Sequence, residues 1–189
     1  MDFDKYYKRK PHVYGIEPSD WVVKINEYKK LPASVLDLGV GQGRNAIYLA
    51  KQGYEVTGVD NSKVGIKQCL REAKNNKVNL ECVLENIEDY QYEKKFDVIL
   101  SAATFHFLGN QKTIGKVIDQ AKDHTKKSGL NVISVPTDTK IAMKFPYYFK
   151  PDELSKYYQD WKILESGEIE DLFSTGKIGT ISFIIGRKV

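Results

Sequence analysis

Val35-Leu36-Asp37-Leu38-Gly39-Val40-Gly41-Gln42-Gly43-Arg44 sets a short apolar run, an acid and three alternate glycines ahead of a helical pattern. The run reads as a buried strand and the glycines as a tight turn. The residues after them read as a helix N-terminus. Glycine permits φ > 0 and lets a ligand approach the backbone closely. The free N–H groups and the dipole at a helix start favour an anionic or polar group. In parallel α/β sheets such turns build nucleotide sites at the carboxyl edge.

The spacing selects among nucleotides. A dinucleotide fingerprint, Gly-x-Gly-x-x-Gly, would need its third glycine at the position held by Arg44. Asp37, two residues before Gly39, would repel a pyrophosphate and suits an ammonium or a hydroxyl. Both features count against a nucleotide-dependent oxidoreductase. S-adenosylmethionine carries an ammonium and no phosphate. Asp60 ends a second strand, Glu55-Val56-Thr57-Gly58-Val59-Asp60, 21 positions beyond Gly39. A carboxylate there faces the same cleft and can accept both ribose hydroxyls. Arg44 falls in the first helical turn, where the dipole disfavours a cation. Either a ligand carboxylate or an acid such as Asp37 is expected to compensate it.

The chain has 189 residues, 41% hydrophobic and 29% charged, enough for one domain with a sizeable core. A net charge of +4 permits nucleic-acid contact without arguing for it. No run approaches the ~18 apolar residues of a membrane span, and no signal-peptide pattern opens the chain, so a cytoplasmic protein is expected. Cys69 and Cys82 fit no metal or redox spacing and read as reduced thiols. No metal-ligand cluster is visible.

Residues 1–20 mix aromatics and bases, with Gly15 and Pro18 as breakers. They read as an arm pinned by its tyrosines or as a flap over the ligand. Ser19 or Asp20 can cap a helix over about 21–30. A helix from Lys63 to about Lys77 is expected to turn Ile66, Leu70 and Ala73 inward, with Asn61 or Ser62 as its cap. A third strand covers 80–84. Asn86 after it could bond an adenine edge or serve a turn, and Ile87 could lie on the adenine face. Phe96–Ser101 is near-continuously apolar, as parallel strands are, and the small residues behind it leave room for a ligand. His106 is the histidine placed near the expected cleft, as a general base or as a packed ring. Ile114, Val117, Ile118 and Ala121 mark another helix, which Gly129 is expected to end before a fifth strand over 130–135. The aromatic segment 136–150 could wall the pocket or cover the core edge. Pro151 opens a helix that runs to about Asp160. Strands over about 161–169 and 178–187 form a terminal hairpin around Ser174-Thr175-Gly176-Lys177.

Alternating strands and helices followed by a hairpin make an α/β, doubly wound fold. With Asp37-x-Gly39-x-Gly41-x-Gly43 the chain resembles the class I methyltransferases, whose Rossmann-like sheet is mostly parallel with an antiparallel C-terminal strand. Gly41-Gln42-Gly43-Arg44-Asn45, Tyr48-Leu49-Ala50, Gly53-Tyr54-Glu55-Val56-Thr57, Phe96-Asp97-Val98-Ile99 and Tyr157-Tyr158-Gln159-Asp160-Trp161 are similar to the tellurite-resistance methyltransferases. The resemblance implies S-adenosylmethionine as cofactor and a small-molecule acceptor, a thiol or a metalloid anion. It implies one methyltransferase domain over 1–189, with residues 1–30 covering the cofactor cleft. It assigns Asp37, Gly39 and Gly41 to the methionine end and Asp60 to the ribose. Asn86 and Ile87 take the adenine and Ser101 the cleft floor, with Arg44 and Asn61 beside them. Glu170 or Asp171 stands where that family carries a histidine followed by basic residues. Acids there would repel an oxyanion. The competing class is a non-catalytic S-adenosylmethionine-binding module that reaches RNA through Lys8-Arg9-Lys10; nucleic acid is otherwise not an expected partner.

Overall fold

A computed structural model describes residues 1–137, 144–173 and 176–189. In chain order the elements are α1 (Phe3–Arg9), α2 (Asp20–Val23), α3 (Ile25–Tyr28), β1 (Ser34–Leu38), α4 (Arg44–Lys51), β2 (Glu55–Asp60), α5 (Lys63–Asn75), β3 (Glu81–Leu84) and β4 (Phe96–Ala102). A 3-10 turn (Phe105–Phe107), α6 (Gln111–Asp123), β5 (Thr125–Pro136), α7 (Glu153–Tyr157), β6 (Lys162–Leu172) and β7 (Ile178–Arg187) follow. The strands form one sheet in the order β3-β2-β1-β4-β5-β7-β6. The first five run parallel, while β7 is antiparallel to both β5 and β6. This is the α/β sheet with an antiparallel C-terminal hairpin that the sequence implies.

All five residues of β1 are buried, so each face of the strand needs its own cover. Successive side chains point to opposite faces. Leu36 and Leu38 join Ile99 and Ile133 under Ile114, Val117, Ile118 and Ala121 of α6. Val35 joins Val56, Val98 and Val132 under α4, α5 and the Trp21–Ile25 segment. Burial of this kind contributes about 25 cal/mol per Å² of apolar surface, and both layers fix the carboxyl ends of β1, β2 and β4 side by side.

Several sequence expectations shift. The inward face of α5 is Gly65, Cys69 and Ala73, while Leu70 is 43% exposed. The small residues let α1 and the glycine turn pack close, which apolar periodicity alone does not reveal. Gly129 does not end α6, which stops at Asp123. It lies inside β5, where a Cβ would come 2.8 Å from the Asp97 carbonyl at a register irregularity of the β4–β5 pair. The helix expected over 21–30 is two single turns that meet at Lys24. The helix after Pro151 is only Glu153–Tyr157: Asp152 before it has a left-handed φ of 60°, Tyr158 after it leaves helical geometry, and Glu153 is buried and accepts from Tyr147 Oη and Lys150 N. Residues 3–9, read as an arm, are helical. Asp2 accepts from Lys5 N as an N-cap, and Lys8 and Arg9 sit favourably at the C-terminal end. Ser174 and Thr175 of the hairpin tip, and 138–143 of the aromatic segment, lie outside the described residues.

Candidate functional site

A cavity of about 360 Å³ opens at the carboxyl ends of β1, β2 and β4. Its wall begins at the glycine turn. Gly39, Gly41 and Gly43 all have positive φ, at 90°, 53° and 89°. Gly39 N and Val40 N donate to Val59 O, which ties the turn to β2. A Cβ on Gly39 would lie 2.2 Å from Thr104 Oγ1, and one on Gly41 would lie 2.8 Å from the Tyr7 hydroxyl. The cradle therefore admits only glycine at its closest approaches.

Asp37 and Asp60 both face the cavity, with opposite surroundings. Asp60 Oδ2 accepts from Gly41 N at 2.7 Å and Oδ1 from Ser62 N at 2.8 Å. Each oxygen keeps a lone pair for a ligand hydroxyl. Burial still raises its carboxyl above the ordinary value, against the pull of those two N–H groups. Asp37 is 3% exposed, and among the described residues no hydrogen bond to its carboxyl is present. Burial, followed by the nearby Asp60 charge, pushes it up to about 7. A buried acid without a donor costs stability. An ammonium at this point would supply both the missing donors and the missing charge.

Arg44 also lines the cavity, but neither expected partner compensates it alone. Its guanidinium donates to Tyr14 O and Ser19 Oγ, both at 2.9 Å. Asp171 and Asp37 act on it through their fields only. Ser19 holds the N-cap position of α2, as expected, but its hydroxyl accepts from Arg44 and not from a helix N–H. Asn61 donates to Asn86 Oδ1 at 3.1 Å, and Asn86 donates to Asp89 Oδ2. With Ile87, which is buried, these two asparagines close the far end of the cavity.

The remaining cover comes from the N-terminal segment, read from the sequence as a pinned arm or a flap, through contacts that the sequence did not single out. Helix α1 lies on α5 because Asp4 accepts from Ser62 Oγ at 2.6 Å and from Val64 N at 3.0 Å. Gln42 accepts from Val13 N and donates to Lys10 O, so the turn itself holds the arm down. Phe3 stacks on Tyr7 and meets Phe107 edge-on at 4.9 Å. The signal for this lid was present in the Asp2 and Asp4 pair at a helix start.

Two expected residues are not brought to the cavity. Ser101 is fully buried beneath it and donates to Leu38 O, bracing β4 against β1. His106 is 2% exposed, and its ring packs on Phe107 and Phe145. Burial drives its imidazole down to about 3, so it is neutral and outside the cavity wall. Ala102, Ala103, Thr104, Phe107 and Leu108 line that side instead. The aromatic segment contributes Pro146 to the wall, while Phe145 and Phe149 are buried in the body. Among the described residues no group of acids, histidines and cysteines could hold a metal ion, and no helix is long and apolar enough to cross a membrane.

Residues 3–182 match the family model described as Tellurite resistance protein TehB. The probable S-adenosyl-L-methionine-dependent methyltransferase TehB of Haemophilus influenzae (strain ATCC 51907 / DSM 11121 / KW20 / Rd) is 34% identical over 140 residues, 72% of this chain and 49% of that protein. The ubiquinone biosynthesis O-methyltransferase of Rickettsia akari (strain Hartford) is 32% identical over 108 residues, 57% of this chain and 42% of that one. The chain spans about half the length of the curated relatives it matches. The crystal structure of TehB from Haemophilus influenzae superposes with a TM-score of 0.82 at 28% identity, covering 99% of this chain and 67% of that one. A Burkholderia thailandensis 1,6-didemethyltoxoflavin-N1-methyltransferase, solved with 1,6-didemethyltoxoflavin and S-adenosylhomocysteine, shares the fold with a TM-score of 0.80 at 21% identity, covering 100% and 86%.

Proposed function

The chain belongs to the TehB family, and on that premise we propose that it is an S-adenosylmethionine-dependent methyltransferase acting on a small molecule. The observation that carries the proposal is Asp37, a buried carboxyl without a hydrogen-bond donor, beside a turn that only glycine can form. The site fits the cofactor. Asp37 would hold the ammonium, the turn's backbone would lie against the methionine end, and Arg44 would meet the carboxylate with its remaining N–H groups. Asp60 would take the ribose hydroxyls, with Asn61 beside it, and Asn86 and Ile87 would take the adenine.

The cofactor supplies an activated sulfonium methyl group, which an acceptor attacks in line. This chain's residues supply proximity and alignment, a large fraction of such a barrier. Phe3, Phe107, Leu108 and Pro146 give the cavity an apolar stretch of wall, which would limit water beside the acceptor. No imidazole reaches the cavity among the described residues, and burial pushes the Tyr7 and Tyr14 hydroxyls far up. The acceptor must therefore bring its own nucleophilic form, as a thiol does by ionising near pH 8.5.

A thiol fits the wall better than a metalloid oxyanion. Asp37, Asp60 and Glu88 line the cavity, and Arg44 is the one cationic side chain among the described lining residues. Glu170 is exposed on β6, and Asp171 adds a negative field at Arg44. Methyl transfer from labelled S-adenosylmethionine to a small aromatic thiol, to selenite and to tellurite tests the reading. Transfer to the thiol and not to tellurite is expected. Transfer to tellurite alone would overturn the acceptor class. Tight cofactor binding with no transfer to any acceptor would favour the non-catalytic module.

A further inference from the structure

Cys69 and Cys82 stand 13 positions apart in sequence, but their sulfurs lie 3.9 Å apart, joining α5 to the edge strand β3. Both are free thiols, Cys69 fully buried and Cys82 half-buried. The Cys69 sulfur is also pressed against the glycine turn, since a Cβ on Gly43 would come 2.4 Å from it. We propose that Cys69 and Cys82 form a peroxide-sensitive pair whose disulfide loosens the glycine turn.

The chemistry balances without a further reductant or oxidant. Peroxide reaches Cys82, the less buried of the two cysteines. The Cys82 sulfur takes one peroxide oxygen, the O–O bond breaks, and water leaves a sulfenic acid. The Cys69 sulfur then attacks the Cys82 sulfur, the S–O bond breaks, and the Cys69 proton leaves with the hydroxide as a second water. The two thiols lose two electrons and the peroxide gains them. A resolving thiol this close stops oxidation at the reversible stage. The lesser burial of Cys82 assigns attack on peroxide to it; the shared sulfur–sulfur contact acts in the same sense, raising Cys69 with help from burial and lowering Cys82.

A disulfide draws sulfurs to about 2.05 Å, so the Cys69 sulfur must leave Gly43 or pull α5 toward β3. Asp60 and Ser62 immediately precede α5, and Asn86 and Ile87 follow β3. Closing the pair thus moves segments on both sides of the cavity and unpacks the turn between them.

The test treats the intact chain with stoichiometric hydrogen peroxide, maps peptides by mass spectrometry, and follows amide exchange at 39–44. The expected result is a Cys69–Cys82 linked peptide lighter by two hydrogens, with faster exchange at the turn, both reversed by dithiothreitol. S-adenosylhomocysteine affinity is expected to fall about fivefold or more. That last readout rests on the proposed cofactor. Reduced protein that fails to bind would count against the cofactor and leave linkage and exchange as the test. Cys82→Ser should remove all the effects, and Cys69→Ala should let Cys82 oxidise beyond the sulfenic acid. Unreacted thiols, overoxidised Cys82 in the intact chain, or a link that leaves turn exchange unchanged would each overturn the proposal.

Discussion

Replacing Asp37 by asparagine should stabilise the protein and weaken its site together. The Asp37 carboxyl moves from an ordinary 3.8 to about 7 on folding. Below pH ~4 both folded and unfolded chains hold its proton, and the carboxyl costs nothing. Between about 4 and 7 the unfolded chain releases the proton while the folded chain keeps it, so stability falls as pH rises. Above 7 the loss is complete, at about 4 kcal/mol for this displacement. Asparagine has a similar shape and no proton to release. Urea unfolding of wild type and Asp37→Asn at pH 4, 6 and 8 should show the variant gaining steadily, by about 3–4 kcal/mol over that range. The same variant should bind S-adenosylmethionine about 10–100-fold more weakly, the worth of a charged hydrogen bond. A stability difference that stays flat with pH would refute the argument, because the carboxyl would then ionise as in water.

Asp60→Ala should weaken S-adenosylhomocysteine binding about 10–100-fold by calorimetry and also release Gly41 N and Ser62 N, lowering the melting temperature. Gly39→Ala meets both a φ of 90° and Thr104 Oγ1 at 2.2 Å; it should cost about 1–3 kcal/mol in urea unfolding and abolish binding. Asp4→Ala removes the acceptor that docks α1 on α5, so cofactor release measured by stopped flow should quicken while the melting temperature falls by only a few degrees. His106→Phe should leave methyl transfer unchanged within about twofold, since the ring is neutral and outside the cavity; a loss of about a hundredfold, the usual worth of a general base, would restore it to the chemistry.

The legible parts of this fold were those where one physical requirement dominates. Buried parallel strands demand apolar runs, and β1, β2 and β4 read as such. Glycines at positive φ after a strand marked the cradle, and the spacing of Asp37 and Asp60 from it marked two cavity acids. Contacts between distant segments were not legible. The face of α5 is set by Gly65 and Cys69 yielding space to α1 and the turn, so a search for large apolar residues chose Leu70 instead. A flap was one of two readings of residues 1–20, but its helical form and its anchor were not legible, because α1 is a short helix held by Asp4 on a partner about 60 residues away. Ser101 and His106 were placed near the cavity by their positions at and beyond the carboxyl end of β4. One side chain points beneath the cavity floor, and the other is enclosed by aromatic rings, an outcome fixed by side-chain direction rather than position. Arg44 was expected to meet an acid or a ligand carboxylate, but a backbone carbonyl and a serine hydroxyl of the N-terminal segment accept from it.

In the function proposed above, the glycine turn with Asp37 and Asp60 recognises an ammonium-bearing adenosyl ligand and rejects a pyrophosphate. Calorimetric titration of the purified chain with S-adenosylmethionine, S-adenosylhomocysteine and NAD at pH 8 tests it most directly. Binding of the first two without NAD is predicted. Binding of NAD alone would contradict the reading of Asp37, and with it the assignment of the cavity.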